Sequence, residues 1–439
     1  MGIVIFLILA SVEIALAGYC IATKARQKPL RSLVRIVEFA IFVIFIISGV
    51  IQWSLRWNLL GFLLLVLAAI GAITLIHTWL NRKKNLLQKV KKFKIPGIVL
   101  RTVTMLLVIF IALIPSLVFP QYKQPEVTGK YRVATATYTY RDDSRIESFK
   151  NTGEKRKVNV EFWFPADSDR AYPLIVFSHG AFGVKTSNTS TFRELASNGY
   201  VVCSIDHPYH SMITIDTDGN YTMVDRSFIQ EVLDVNNGIY DDETVFKLEK
   251  KWLNLRTEDI NFVLNTIIQN TKDNSDKLFK HIDTSKIGLI GHSLGGAAAV
   301  QLGRDRRDIR AVINLDADLL GEYTSFKDGK YTVNDKIYPV PLLCIYSDVM
   351  KQRMNSITDP SLIIPQSVIS STTPNAFEIY LPGTNHMSLT DLPLVSPFLV
   401  KLINSSVKGC DIGQNTDKYE VINKMNSMVL EFFNRYLTR

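Results

Sequence analysis

The pentapeptide Gly291-His292-Ser293-Leu294-Gly295 constrains this chain more than any other stretch. Before it, Lys286-Ile287-Gly288-Leu289-Ile290 is short, apolar and β-branched, as a buried parallel strand is. After it, Gly296-Ala297-Ala298-Ala299-Val300-Gln301-Leu302 consists mostly of good helix formers. Strand, sharp turn and helix is the setting of a nucleophile elbow, where the turn strains the serine backbone and lifts its hydroxyl above the sheet. The flanking glycines leave room for strand and helix to pass closely. The stretch predicts an α/β architecture, a mostly parallel sheet flanked by helices, with Ser293 as nucleophile.

A serine hydroxyl needs a base, and hydrolases of this architecture supply serine, acid and histidine in that chain order. Of the seven histidines only His386 lies downstream of Ser293. It follows the strand-like Phe377-Glu378-Ile379-Tyr380-Leu381 and the turn Pro382-Gly383-Thr384-Asn385, a loop position suited to a base. Three carboxylates compete for the acid. Asp316 ends the strand Ala311-Val312-Ile313-Asn314-Leu315, Asp318 stands two residues on, and Asp348 ends the later strand Leu342-Leu343-Cys344-Ile345-Tyr346. Strand carboxyl ends are where open α/β sheets build their sites. An oxyanion hole needs two backbone N–H groups. Leu294 supplies one, and Ala181 supplies the other from Ser178-His179-Gly180-Ala181-Phe182-Gly183, which follows the strand Pro173–Phe177.

The segment from about Val158 to Leu437 resembles the plasma-type platelet-activating-factor acetylhydrolases and their bacterial relatives, within the α/β-hydrolase fold. The resemblance rests on Val176-Phe177-Ser178-His179-Gly180, on Asp206-His207 with Ser211, on Gly291–Gly296, on Asn314-Leu315-Asp316-Ala317 and on the loop carrying His386. The tail Lys408-Gly409-Cys410-Asp411-Ile412, followed by a helix, is similar too. In that family the acid follows the strand after the elbow helix, which implies Asp316 over Asp348. It also implies short-acyl or lipid esters as substrates and no cofactor. Two departures bear on substrate preference: a longer segment between Asp316 and His386, and the acidic Asp316-Ala317-Asp318 where the family is more aromatic.

The first 120 residues are of a different kind. Apolar runs at about Ile3–Ala22, Val34–Trp53, Leu59–Leu80 and Gly97–Phe119 are each near the ~20 residues that cross a bilayer. They predict an all-α transmembrane region of four helices. Met1-Gly2-Ile3-Val4-Ile5-Phe6 lacks the basic start of a signal peptide. Lys24, Arg26, Lys28, Arg31 and Arg35 cluster after the first run, and Arg82, Lys83, Lys84, Lys89, Lys91, Lys92 and Lys94 after the third. The stretch between runs two and three carries only Arg56, beside Trp53 and Trp57. By the positive-inside rule the two basic stretches face the cytoplasm, which puts the amino terminus and the hydrolase domain outside. Within the runs, Glu38 is expected beside Arg35, with Arg101 snorkelling toward the basic stretch.

Charge follows the same division. Residues 1–128 carry 15 basic and 3 acidic side chains, whereas the whole chain has 50 and 41. The surplus is therefore topogenic and implies no nucleic-acid partner. The domains expected are a membrane domain over 1–120, a linker and first hairpin over 121–157, and a catalytic domain over 158–439. Val158–Phe164 reads as a half-buried edge strand, and 212–250, rich in Asp, Asn and Gly, as a lid insertion before a helix at about Thr244–Asn270. Cys203 and Cys344 read as buried small hydrophobes, and Cys20, Cys203, Cys344 and Cys410 make no disulfide framework. No metal-ligand spacing is present, so no metal is expected. The expectation is a multi-pass serine ester hydrolase of the cell membrane, facing outward, with the bilayer and a small ester or lipid as partners. Protein partners stay unassigned. The alternatives are a non-catalytic membrane sensor with a ligand-binding hydrolase-like domain, and an amidase or peptidase on the same fold.

Overall fold

Two units make up the chain: Met1–Lys123 with Val395–Leu399, and Gln124–Leu394 with Val400–Arg439. The computed structural model describes residues 1–80, 94–166, 170–273, 276–357, 364–406 and 416–438. The basic residues 82–92 and the tail Lys408–Ile412 lie outside the described residues.

In the first unit the apolar runs form helices α1 (Gly2–Ala22), α2 (Lys28–Ile47), α3 (Asn58–Leu80) and α4 (Ile95–Val118). Three helices, Gly2–Ala22, Leu55–Leu80 and Ile95–Val118, are long and apolar enough to cross a membrane, against the four expected. The second run falls short because its helix opens with Lys28, Arg31, Arg35 and Glu38. Arg35 and Glu38 are nonetheless buried, Arg35 pairing with Glu38 at 2.7 Å and also with Glu13 of α1. Glu13 was not expected as a partner. The inner faces pack Ile5, Leu9, Phe42, Trp57, Leu60, Leu64, Ile109 and Leu113. The outer faces are apolar as well, with Ile3, Phe62 and Leu100 64, 68 and 69% exposed. Helices apolar all round are built for an apolar solvent.

The second unit opens with a long hairpin, β1 (Val133–Ile146) and β2 (Lys155–Pro165). There follow β3 (Tyr172–Ser178), α5 (Thr189–Ser197), β4 (Val201–Asp206), a small hairpin of β5 (Ile213–Ile215) and β6 (Tyr221–Met223), and α6 (Arg226–Asn236). The long α7 (Asp242–Asp273) and short α8 (Lys277–Lys280) lead to β7 (Ile282–His292), α9 (Leu294–Asp305) and β8 (Ile309–Leu315). A second small hairpin, β9 (Tyr323–Lys327) and β10 (Lys330–Val333), precedes β11 (Leu342–Ser347) and β12 (Ala376–Leu381), and a helix at Lys418–Leu437 closes the unit.

Eight strands form one sheet in the order β1-β2-β4-β3-β7-β8-β11-β12. β1, β2 and β4 pair antiparallel, and β4 through β12 pair parallel. Each interior parallel strand is apolar on both faces because helices cover both. In β3, Leu174 and Val176 join the core under α7 and α9, whereas Ile175 and Phe177 join the core under α5 and Lys418–Leu437. The expected edge strand Val158–Phe164 is interior instead. β1 lies outside it, and Val158, Val160 and Phe162 are fully buried.

Candidate active site

Ser293 occupies the turn between β7 and α9 with φ 53° and ψ −129°, a strained backbone for a residue with a side chain. The turn is possible because glycine stands on both sides. A Cβ on Gly291 would lie 2.2 Å from the Gly295 carbonyl oxygen, and one on Gly295 would lie 2.0 Å from that of Ser178. The Ser293 amide continues the sheet ladder by donating to the Leu315 carbonyl at 2.9 Å.

Asp316 sits just past β8, also at positive φ (55°), and its amide donates to the Ile345 carbonyl at 2.9 Å. Asn314 braces this turn, its side chain accepting from the Ala317 amide and donating to the Ala317 carbonyl, both at 3.0 Å. The buried Asp316 carboxylate accepts the Ser347 amide at 2.6 Å and the Ser347 hydroxyl at 2.9 Å, and meets His386 Nδ1 at 2.7 Å. Burial raises the carboxyl pKa, but His386 and the Ser347 donors outweigh burial and hold it below the usual value. Asp316 is therefore ionised at neutral pH, and His386 presents Nδ1–H to it.

Asp348 and Asp318 do other things. The Asp348 carboxylate accepts the Gly383 amide at 2.7 Å and so shapes the turn leading to His386, while Asp318 pairs with Arg353 at 2.7 Å. His386 starts a single 3₁₀ turn, His386–Leu389, capped by Asn385. Its ring lies 4.5 Å from that of His292, tilted by 38°, and its backbone carbonyl meets His292 Nε2 at 3.0 Å. Burial first, then the nearby His386, pulls His292 down to about 3, so His292 is neutral and donates to that carbonyl. The chain neighbour of Ser293 thus carries His386. Among the described residues no hydrogen bond joins the Ser293 hydroxyl to the His386 ring. Such bonds are often loose without substrate and tighten in the complex.

The loop after β3 passes close to the serine: a Cβ on Gly180 would lie 3.0 Å from Ser293 Cβ and 2.9 Å from His292 Nδ1. Phe182 in this loop is another residue at positive φ (63°), and its amide donates to the His210 carbonyl at 3.0 Å. The Ala181 amide lies in this loop, and the Leu294 amide is the first of α9, where N–H groups have no partner within the helix. Beneath the loop lies a buried polar cluster, of which the family resemblance marks only Ser178, His179, His207 and Ser211. His179 Nε2 meets Ser211 Oγ at 2.8 Å, and Ser178 Oγ meets His207 Nε2 at 3.0 Å. His207 Nδ1 meets Asp259 Oδ2 at 3.0 Å, and Arg256 reaches the His179 and Gly180 carbonyls. Arg256 and Asp259 went unnoticed in the sequence. The signal is that Arg256 falls on the apolar stripe of α7, among Trp252, Leu253, Ile260 and Val263, where a charge needs a reason.

The order of this sheet, with Ser293, Asp316 and His386 gathered past the carboxyl ends of its parallel strands, is that of an α/β hydrolase. A likeness to ferulic acid esterase from Streptomyces cinnamoneus carries the same fold, with TM-score 0.52 and 19% identity over 71% of this chain and 92% of that one. The chain belongs to the platelet-activating factor acetylhydrolase isoform II family, whose model matches residues 144–439. Platelet-activating factor acetylhydrolase from Bos taurus is 25% identical over 285 residues, 61% of this chain and 57% of the relative. The enzyme of the same name from Gallus gallus is 26% identical over 301 residues, 62% of this chain and 65% of the relative. The chain thus spans less than two thirds of the length of either relative.

Proposed function

We propose that the chain is a serine ester hydrolase working through an acyl-enzyme, with Ser293, His386 and Asp316 as its triad. The observation that carries the reading is the 2.7 Å contact between the ionised Asp316 and His386 Nδ1, beside a serine held on a strained elbow. Ser293 Oγ attacks the ester carbonyl carbon as His386 Nε2 takes its proton. Negative charge gathers on the carbonyl oxygen, which the Leu294 and Ala181 amides receive. Collapse breaks the ester bond, and His386 returns the proton to the leaving alcohol. Water, deprotonated by His386, then attacks the acyl–Ser293 ester and releases the acid. Asp316 holds the histidine tautomer and stabilises the imidazolium without taking its proton.

The substrate class follows the relatives' names: acetyl and other short-acyl esters, lipid esters among them. The chain is multi-pass, with the hydrolase unit on the outer side. Charge supports this placement. The basic stretches 24–35 and 82–94 both reach the cytoplasm only if the chain crosses twice between them, once through α2 and once through α3. Burial of Arg35 against Glu13 and Glu38 lets α2 cross despite its charges.

The test is hydrolysis of p-nitrophenyl acetate and butyrate by the wild type and by Ser293→Ala, with fluorophosphonate labelling alongside. The expected loss is about 10⁴–10⁶ in turnover, with labelling abolished. Equal activity in the two proteins, or no labelling of the wild type, rejects the reading.

A further inference from the structure

The geometry points to Arg256 as a positioning residue that sets the oxyanion hole, by fixing the direction of the peptide between Gly180 and Ala181. This rests on the serine-hydrolase reading above. Arg256 is fully buried in the middle of α7. Its Nη1 donates to the His179 carbonyl at 2.7 Å, its Nη2 to the Gly180 carbonyl at 3.2 Å, and its Nε to His210 Nδ1 at 3.2 Å. His179 Nδ1 meets the same Gly180 carbonyl at 2.6 Å. In a trans peptide the carbonyl and the following N–H point opposite ways. A Gly180 carbonyl held toward Arg256 therefore turns the Ala181 N–H away from the arginine. Gly180 is also the residue that runs against Ser293 Cβ.

Burying a guanidinium is costly, and most buried arginines answer that cost with a carboxylate. Asp259, one turn further along α7, does not hydrogen-bond to Arg256. It takes two bonds of 2.6 Å from Arg156, one of 2.9 Å from Arg145 and the 3.0 Å contact with His207. Arg256 spends its donors on successive loop carbonyls instead. Both carbonyls belong to peptides that flank Gly180, whose missing Cβ makes a peptide flip easiest there. A flip would aim the Gly180 carbonyl, a negative dipole, at the place where the oxyanion forms. Through His207 and Ser178, Asp259 holds the start of the same loop. One face of α7 thus anchors the loop at both ends of the glycine.

The clamp is tested in the full chain in detergent with Arg256→Met and Arg256→Lys, on p-nitrophenyl acetate and a short-chain trifluoromethyl ketone that mimics the tetrahedral adduct. Arg256→Met should lower kcat by about 10²–10³, the size of one lost oxyanion donor, with KM within about threefold. Ketone affinity should fall with kcat. Lysine keeps the charge but lacks the fork that reaches both carbonyls, so Arg256→Lys should recover only part. Should Arg256→Met fail to fold, Arg256→Lys alone decides by the same readouts. A lower Tm with unchanged kcat and ketone affinity overturns the clamp, as does a raised KM at unchanged kcat. A wild type whose activity survives Ser293→Ala is a separate failure, because it removes the serine-hydrolase reading and the clamp with it.

Discussion

At the scale of single residues, the two acids that compete in the sequence separate by what they touch. Asp316 meets the histidine, and Asp348 meets the Gly383 amide. Asp316→Asn should lower kcat by about 10⁴, because an amide stabilises neither the imidazolium nor the required tautomer. Asp348→Asn keeps an acceptor for Gly383 and should cost less than about tenfold. Steady-state kinetics on p-nitrophenyl acetate check both, and the reverse order of losses would move the acid to Asp348. Ser293 and His386 were legible as candidates because motif and chain order leave little choice. The acid was not settled by spacing, since Asp316 and Asp348 both end strands. Ser347 and His292 were missed as supports for the same reason: their roles arise from strands distant in the chain. Arg256 could have been noticed as a charge on an apolar stripe, but its acceptors are backbone carbonyls that no sequence pattern marks.

At the scale of elements, α7 ties the loop after β3 to the hairpin β1–β2 through a buried network in which burial holds the histidines neutral. Burial first, then the Arg256 charge, pulls His207 down to about 3 although Asp259 opposes. An unfolded histidine takes its proton near pH 6.5. The folded state binds fewer protons between these values, so stability is full above about pH 6.5 and falls as pH drops toward 3. From pH 7.5 to 5, His207 alone should account for about 2 kcal/mol, at 1.36 kcal/mol per pH unit. Asp259, held below its usual range by Arg156 against burial, adds its own loss only below about pH 4. The apparent Tm should therefore fall from pH 7.5 to 5, and His207→Gln should make that fall shallower. An unchanged slope in the variant would show that His207 is not a proton-linked group. Most of this framework was readable as strand–helix alternation. β1 was readable only as part of a first hairpin within 121–157, because its Thr- and Tyr-rich run lacks an apolar alternation that would mark its bounds or its partner. With its pairing to Lys155–Pro165 unmarked in the sequence, β2 looked like an edge.

At the scale of the molecule, an apolar-surfaced helical unit and a water-type α/β unit share one chain, and the charge surplus sits wholly with the first. In the proposed topology, the side that the hydrolase faces depends on α2, the helix whose charges keep it below the apolarity of a span. If α2 crosses, both basic stretches lie inside and the hydrolase lies outside. If it does not, one basic stretch is exported against the positive-inside bias. Single cysteines read this directly, because Cys20, Cys203 and Cys344 are buried and give little background. In a Cys410→Ser chain expressed in intact cells, Ser54→Cys and Lys130→Cys should react with an impermeant maleimide, and Gln27→Cys only after permeabilisation. Labelling of Gln27→Cys from outside, with Ser54→Cys silent, would invert the topology and move the ester substrates to the cytoplasmic side. Labelling of Lys130→Cys only after permeabilisation, with Ser54→Cys still reactive, would mean that the chain crosses once fewer after α2. The α2 charges make the second half of the test: Arg35→Ala should strand Glu13 and Glu38 in the helical unit. That costs on the order of 3–5 kcal/mol for a buried pair that loses one partner. It should appear as a drop in membrane-integrated protein, while the esterase activity per molecule that remains is unchanged.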